Sequence, residues 1–372
     1  MYYITYGGRT NNINNYFHNN IMEISNLVSN HLYIDNNLFF ITCQYLFEYI
    51  GGFLIIEIIN DKLNIHVYGN KDIQISDNCR ALDMNNNTYF NQLSYYNDSL
   101  FNFYDKMRIV KNIKNLLIIH NFGDFPVIRI DNFHPKHLWK KNIYINKPKN
   151  LLDIFSFCKN NDYMDQLLPS PDLMNFLLKQ YPENFCTDWS KKINKLIFRG
   201  TNTSGYLKND SPRKILFETS HNYPDIIDAK IINSFNYPLL LDNIDNLQYS
   251  EIIDSEPDSY KSPSDQSLYK FQIHIDGFVS AWRLVTLLFM KSLIFRVSSE
   301  WYEYYYKDLK PWVHYIPIKR DLSDLVDKIN WCIINDNISK KIAENGYKFA
   351  VDNFTLNNVM DYTFRKLNNY LI

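Results

Sequence analysis

Glycine is scarce in this chain, at 10 of 372 residues, and alanine is scarce too. Asn, Ile and Tyr fill their place, a bias that fits an A+T-rich genome and carries little physics. A dominant charge is also missing: the net charge is −1 at pH 7, the pI is near 6.7, and acidic and basic residues interleave. Such balance excludes the basic face a nucleic-acid partner would need. No apolar run reaches the roughly 18 uninterrupted residues of a membrane span. The start, Met1-Tyr2-Tyr3-Ile4-Thr5-Tyr6-Gly7-Gly8-Arg9, has no basic region followed by an apolar core, so no secretory signal is expected. Asn368-Asn369-Tyr370-Leu371-Ile372 is no retention tail. The five cysteines, Cys43, Cys79, Cys158, Cys186 and Cys332, are never spaced as CxxC. They predict reduced structural thiols in a cytoplasmic protein, with no zinc site.

What is present is apolar and aromatic: 46% of residues are hydrophobic and 16% are Phe, Trp or Tyr. That is ample for a globular chain, and the length predicts two domains. Apolar runs bounded by polar residues predict strands at Phe53–Ile59, Leu63–Tyr68, Leu116–His120, Leu152–Phe157, Leu196–Phe198, Leu293–Val297 and Val313–Ile318. Asn60-Asp61-Lys62 joins the first two as a hairpin turn. Helical spacing covers Ile21–Leu32, Met164–Tyr181 with a Pro interruption, Val279–Met290 and Leu322–Ile334, and two more helices follow in Ser339–Leu371. Strands alternating with helices in both halves predict an α/β fold. Asp254 to Asp265 reads as an exposed loop, and a domain boundary falls around residues 160–190.

Four segments carry groups suited to chemistry. Trp301-Tyr302-Glu303-Tyr304-Tyr305-Tyr306-Lys307-Asp308-Leu309-Lys310-Pro311-Trp312 concentrates aromatics before a proline. It predicts a helix stopped near Lys310, a rigid turn and a strand from Val313. Its neighbour Glu300 and its own Glu303 both qualify to bind paired ribose hydroxyls at a strand end, and the residues alone do not choose. An aromatic core is the plainer alternative. Leu116 to Pro126 runs a strand into a turn holding Asp124, placed either to act as general base or to cap the turn. Phe198-Arg199-Gly200-Thr201-Asn202-Thr203-Ser204-Gly205, followed by Arg213, suits phosphate binding through amides, hydroxyls and a guanidinium fork, although no Gly-Lys-Ser/Thr follows. Asp276-Gly277-Phe278-Val279-Ser280-Ala281-Trp282-Arg283 predicts a helix from about Val279 whose amide end and Arg283 face an anion, or else an ordinary cap. No Asp-x-Asp occurs anywhere, the motif with which many nucleotide-sugar enzymes hold a metal.

These segments resemble glycosyltransferase family 90, the protein O-glucosyltransferase (Rumi) and capsule-associated glycosyltransferase-like proteins. The likeness is densest from Gly277 to Phe349: Gly277 to Arg283, Ser292-Leu293-Ile294-Phe295, Glu300-Trp301, Leu309 to Pro317, Asp321 to Leu325, Asn335-Asp336 and Ile342 to Gly346 run in the family's order. Phe198-Arg199-Gly200 with Thr203 resembles its donor loop, Phe155-Ser156-Phe157 with Lys159 and Tyr163 its inter-domain segment, and Gly123-Asp124-Phe125-Pro126 the turn of its base. The likeness spans about residues 115–350.

The resemblance implies an α/β fold of GT-B type, two Rossmann-like domains facing across a cleft with C-terminal helices packing back. Residues 1–165 would form the acceptor-side domain, 166–345 the nucleotide-sugar domain and 346–372 a helical tail. It implies an inverting transferase that moves glucose or xylose from a UDP-sugar to a glycan or protein hydroxyl and forms a β-glycoside. The UDP-sugar is a co-substrate, and neither a cofactor nor a metal is required. Asp124 would be the base; Thr201, Arg213, Gly277, Ser280 and Arg283 would receive the donor diphosphate; Glu300 and Trp301 would touch ribose or sugar. Animal members depend on disulfides and a retention tail, so a cytoplasmic microbial or viral glycan pathway is expected here. A catalytically inactive relative that binds a nucleotide-sugar or glycan is the alternative, and an aromatic interaction module a third.

Overall fold

A computed structural model describes residues 35–46, 52–69, 87–121, 126–128, 130, 150–179, 185, 187–203, 211–234 and 254–371. The helix expected at Ile21–Leu32 lies outside them, as does Asp124. The chain divides into two compact units, residues 1–178 with 360–372, and residues 179–359.

The first unit contains helix α1 (Asn36–Tyr45), strands β1 (Gly52–Ile59) and β2 (Lys62–Gly69), helix α2 (Asn87–Lys111), strands β3 (Leu116–His120), β4 (Ile154–Ser156) and β5 (Gln166–Leu167), and helix α3 (Pro171–Leu178). Its sheet runs β2-β1-β3-β4-β5. The β1–β2 and β1–β3 pairings are antiparallel, and β3–β4 and β4–β5 are parallel. This sheet is therefore mixed, where the sequence reading expected a Rossmann-like one. The cause is local: Asn60 and Asp61 take φ of 49° and 66°, the left-handed pair of a two-residue hairpin, and that turn forces β2 back along β1. Within α2, Leu100, Phe103, Tyr104 and Met107 are buried at helical spacing. Phe53 and Ile55 of β1 meet Leu117 and Ile119 of β3, Ile154 of β4 and Phe39 and Cys43 of α1 in one core. Each such side chain contributes roughly 1.5–3 kcal/mol. Cys43, Cys158 and Cys332 are buried free thiols, and burial pushes Cys332 up to about 11.

The second unit contains β6 (Ile193–Thr201), α4 (Pro212–Asn222), β7 (Ile227–Asn233), β8 (Tyr269–His274), α5 (Leu284–Phe289), β9 (Leu293–Val297), β10 (Ile316–Ile318), α6 (Leu325–Ile334) and α7 (Asp336–Asn353). Its sheet runs β7-β6-β8-β9-β10, and every pairing is parallel. Counted along the chain, that is the doubly wound order 2-1-3-4-5, with its reversal between β6 and β8. The middle of β6 and most of β9 read as apolar runs, and Phe198, Phe271, Phe295 and Ile316 sit in one core.

Several sequence expectations change. Met164–Tyr181 is not one helix: Gln166 and Leu167 pair with Phe155 and Ser156 as β5, and α3 begins only at Pro171. Those pairings put residues 166 and 167 in the first sheet, and the first unit runs on to Leu178, whereas the reading from sequence placed residue 166 onward in the second domain. The helix before Lys310 is a single 3-10 turn, Tyr306–Asp308. The strand after it starts at Ile316, because His314 N donates to Lys310 O at 2.9 Å and Trp312 takes φ of 63°, which closes a turn. Asp254–Asp265 includes two short turns of helix, Pro257–Ser259 and Pro263–Gln266.

Helix α8 (Leu356–Leu367) runs into a 3-10 turn, Asn368–Tyr370. From Met360 the chain counts with the first unit, through a Lys111–Asp361 ion pair, Tyr362 Oη donating to Leu167 O at 3.0 Å, and a bridge between Leu116 and Leu371.

Candidate active site

Open parallel sheets receive ligands beyond the carboxyl ends of the strands at the reversal of strand order. In the second unit that point lies after Thr201 of β6 and His274 of β8. Ser211 caps α4, accepting from Lys214 N at 3.3 Å, and Pro212 opens the helix, so Arg213 falls in its first turn. The guanidinium is buried at 4% exposure. Its Nη1 donates to Thr203 Oγ1 at 2.8 Å, to Thr201 O at 3.1 Å and to Thr201 Oγ1 at 3.2 Å. Its Nη2 donates to Ile275 O at 3.0 Å, tying the loop after β6 to the loop after β8. Thr201 Oγ1 and Thr203 Oγ1 lie 2.9 Å apart.

Gly277 closes this cradle. A Cβ there would stand 3.2 Å from Thr203 Oγ1 and 3.3 Å from Arg213 Nη2, so any side chain presses on the fork. Arg283 is held by Nη1 donating to Arg199 O at 2.7 Å. Thr201, Arg213, Gly277 and Arg283 are thus gathered at one end of one sheet. Arg199 points the other way, bonding Asp228 Oδ1 at 2.7 Å and Ser259 O at 2.7 Å, and serves the fold.

The expected helix from Val279 does not form there; α5 starts at Leu284. Residues 279–283 are held as loop because Ala281 N donates to Asp276 Oδ1 at 2.9 Å and Ala281 O meets His274 Nε2 at 2.9 Å. No helix dipole is aimed from Val279, and the positive charge at this loop is the guanidinium of Arg283. Ser280 joins a separate buried group: its Oγ lies 2.8 Å from Tyr306 Oη and donates to Glu303 Oε1 at 3.2 Å. Of the two acidic candidates, Glu303 is buried in that group, while Glu300 is exposed and Trp301 half-buried after β9. The sequence reading missed that His274 and Tyr306 support this loop; a histidine inside an apolar strand was the one available signal.

In the first unit, the segment holding Asp124 lies outside the described residues, but both its flanks are described. Asp165 is buried and accepts from Val127 N at 2.8 Å, Ile128 N at 2.7 Å and Ser156 Oγ at 2.7 Å. Asn121 Nδ2 donates to Ser156 Oγ at 3.1 Å, so one network links the chain before and after residues 122–125. Burial raises the Asp165 carboxyl against the pull of those donors.

Two buried imidazoles fix an acid limit. Burial lowers both His120 and His274 to about 4. At neutral pH His274 is therefore uncharged, and its 3.8 Å approach to Asp276 Oδ1 is no ion pair. Unfolded histidine protonates near 6.5, so between about pH 6.5 and 4 the unfolded chain binds more protons. Stability is complete above about 6.5 and falls with pH, by about 2 kcal/mol per histidine at pH 5. The urea midpoint should drop from pH 7 to pH 5, and drop less in the His120→Asn, His274→Gln double variant. A midpoint that does not move would place both groups in solvent-like surroundings.

The second unit is thus an α/β unit of the doubly wound class with a cluster of guanidinium and hydroxyl groups at its switch point. The sequence profile of glycosyl transferase family 90 matches residues 106–371, and the chain belongs to that family. It is 35% identical over 236 residues to uncharacterized protein 035R of Invertebrate iridescent virus 3, covering 58% of this chain and 21% of that protein. It is 32% identical over 232 residues to protein O-glucosyltransferase 2 of Danio rerio, covering 60% and 43%. Against protein O-glucosyltransferase 3 of Homo sapiens the identity is 28% over 301 residues, covering 77% and 53%. The chain spans from about a fifth to about half the length of these relatives. A solved Anabaena HepE structure in complex with UDP and glucose shares a TM-score of 0.35 at 9% identity, covering 59% of this chain and 63% of that one, too distant to carry weight. Among the described residues no helix is long and apolar enough to cross a membrane.

Proposed function

We propose that this chain is an inverting glycosyltransferase that moves glucose or xylose from a UDP-sugar to an acceptor hydroxyl, forming a β-glycoside without a metal. The observation that carries the reading is the cradle of Arg213, Thr201, Thr203 and Gly277 at the switch point, with Arg283 beside it. Fixed guanidinium and hydroxyl donors suit a diphosphate on which charge builds as the glycosidic bond breaks, and such stabilisation is the largest contribution in many active sites. Asp124 would take the acceptor proton as the hydroxyl attacks the anomeric carbon from the face opposite the diphosphate. The two units would face each other in a GT-B arrangement, bringing base and donor together. The names of the curated relatives favour glucose, and a hydroxyl on protein or glycan as acceptor. Ser280 would act by shaping the Gly277–Arg283 loop, and Glu300 and Trp301 would meet ribose or sugar. A cytoplasmic, viral or microbial setting goes with this reading.

The test is UDP release in the presence of EDTA from UDP-glucose, UDP-xylose, UDP-galactose and UDP-N-acetylglucosamine. Release from one donor is expected, and it would name the sugar. UDP binding by calorimetry with no release from any donor would favour the inactive relative. Neither binding nor release would overturn the nucleotide-sugar reading altogether.

A further inference from the structure

Phe198 belongs to the core of the second unit, yet its ring also meets two cations. It lies in β6, two residues before Gly200, so both project from the same face of the strand. Its ring is 2% exposed, and a Cβ on Gly200 would stand 2.6 Å from Phe198 Cζ; the ring is pinned directly beneath the Gly200 backbone. Two guanidiniums lie over that one ring, Arg213 with Cζ 5.7 Å from the centroid and Arg283 with Cζ 5.6 Å. They arrive from different elements, α4 and the loop before α5. Two like charges converging on a site repel each other, and each long side chain has rotamer entropy that favours swinging away. The negative face of an aromatic ring attracts both cations, and more strongly when desolvated.

We propose that Phe198 is a positioning residue, a shared aromatic anchor that holds Arg213 and Arg283 together before a diphosphate arrives. It rests on the reading that these arginines receive the donor diphosphate. The ring touches no substrate. It lowers the ordering that binding would otherwise require, which is preorganisation. Ring fluorination nearly keeps the shape and weakens the attraction, so packing and electrostatics are separable here.

The test replaces Phe198 by phenylalanines carrying one, two and three ring fluorines, which drain the ring's negative face while nearly conserving its shape. UDP is the probe, its affinity is read by calorimetry, and each variant's melting temperature is measured. Affinity should fall stepwise with fluorination, by roughly ten-fold across the series, in variants that all stay folded at the assay temperature. A flat series would make Phe198 packing alone. Affinity that rises with fluorination would mean the ring merely damps the arginines' charge. Arg283→Gln is measured beside the series. If it weakens UDP binding while the series is flat, the anchor fails and the diphosphate reading stands. If it leaves UDP binding unchanged, the diphosphate reading itself fails.

Discussion

Arg213→Ala is expected to abolish detectable UDP binding and to destabilise the second unit by about 3 kcal/mol, because it removes a buried cation and leaves Ile275 O and Thr201 O without their donor. The informative variant is Arg213→Lys. Lysine keeps the charge but is a compact ammonium, unable to span Thr203 Oγ1 and Ile275 O as the planar fork does. Its kcat/KM should fall at least about 100-fold while the protein stays folded at 25 °C. The urea midpoint, UDP affinity and kcat/KM are measured on the same samples. Wild-type UDP affinity in a folded Arg213→Lys protein would sink the assignment of this cradle to the diphosphate, and would leave Arg213 as a brace between two loops.

Asp124→Asn should remove the general base while sparing the donor site. Transfer should fall by about 10² to 10⁴-fold, with UDP affinity within about two-fold of wild type. The pH profile adds a second readout: kcat/KM of the wild type should decline toward acid as the carboxylate is protonated, and the residual activity of the variant should lack that limb. Undiminished transfer in the variant would exclude Asp124 as base, and a parallel loss of UDP binding would mean that the substitution acts through the fold. The described chain on either side of residues 122–125 joins the Asp165–Ser156–Asn121 network.

Strands were the most legible part of the chain. Leu116–His120 and Leu293–Val297 form with the bounds their apolar runs predict. A strand buried on both faces is marked by composition alone, and polar residues mark its ends. Ile227–Asn233 and Tyr269–His274 escaped notice because Asp228, Lys230, Lys270 and Gln272 interrupt their apolar runs. Arg199 and Tyr269 bond the carboxylate of Asp228 from 29 and 41 residues away, and Gln272 bonds Gln266 O, so the polar groups of these strands are satisfied by partners outside their own apolar pattern. The helix expected from Val279 failed for a similar reason. Its spacing is helical, yet Asp276 and His274 bind Ala281 and win the backbone until Leu284.

The sequence by itself determined the family, the α/β class, the hairpin at Asn60-Asp61 and the residue types of the candidate site, because each is written in local pattern or motif. It also marked Gly277 and Arg213, though not why they belong together. The tertiary structure decided the strand order that sets the switch point between β6 and β8. It decided that Arg213 bridges Thr203 and Ile275, 10 and 62 residues away. It also separated Arg199, which braces Asp228, from Arg283 above Phe198. Direction makes one arginine a brace within the sheet and sets another at the switch point, and both placements come from neighbours that only folding brings near.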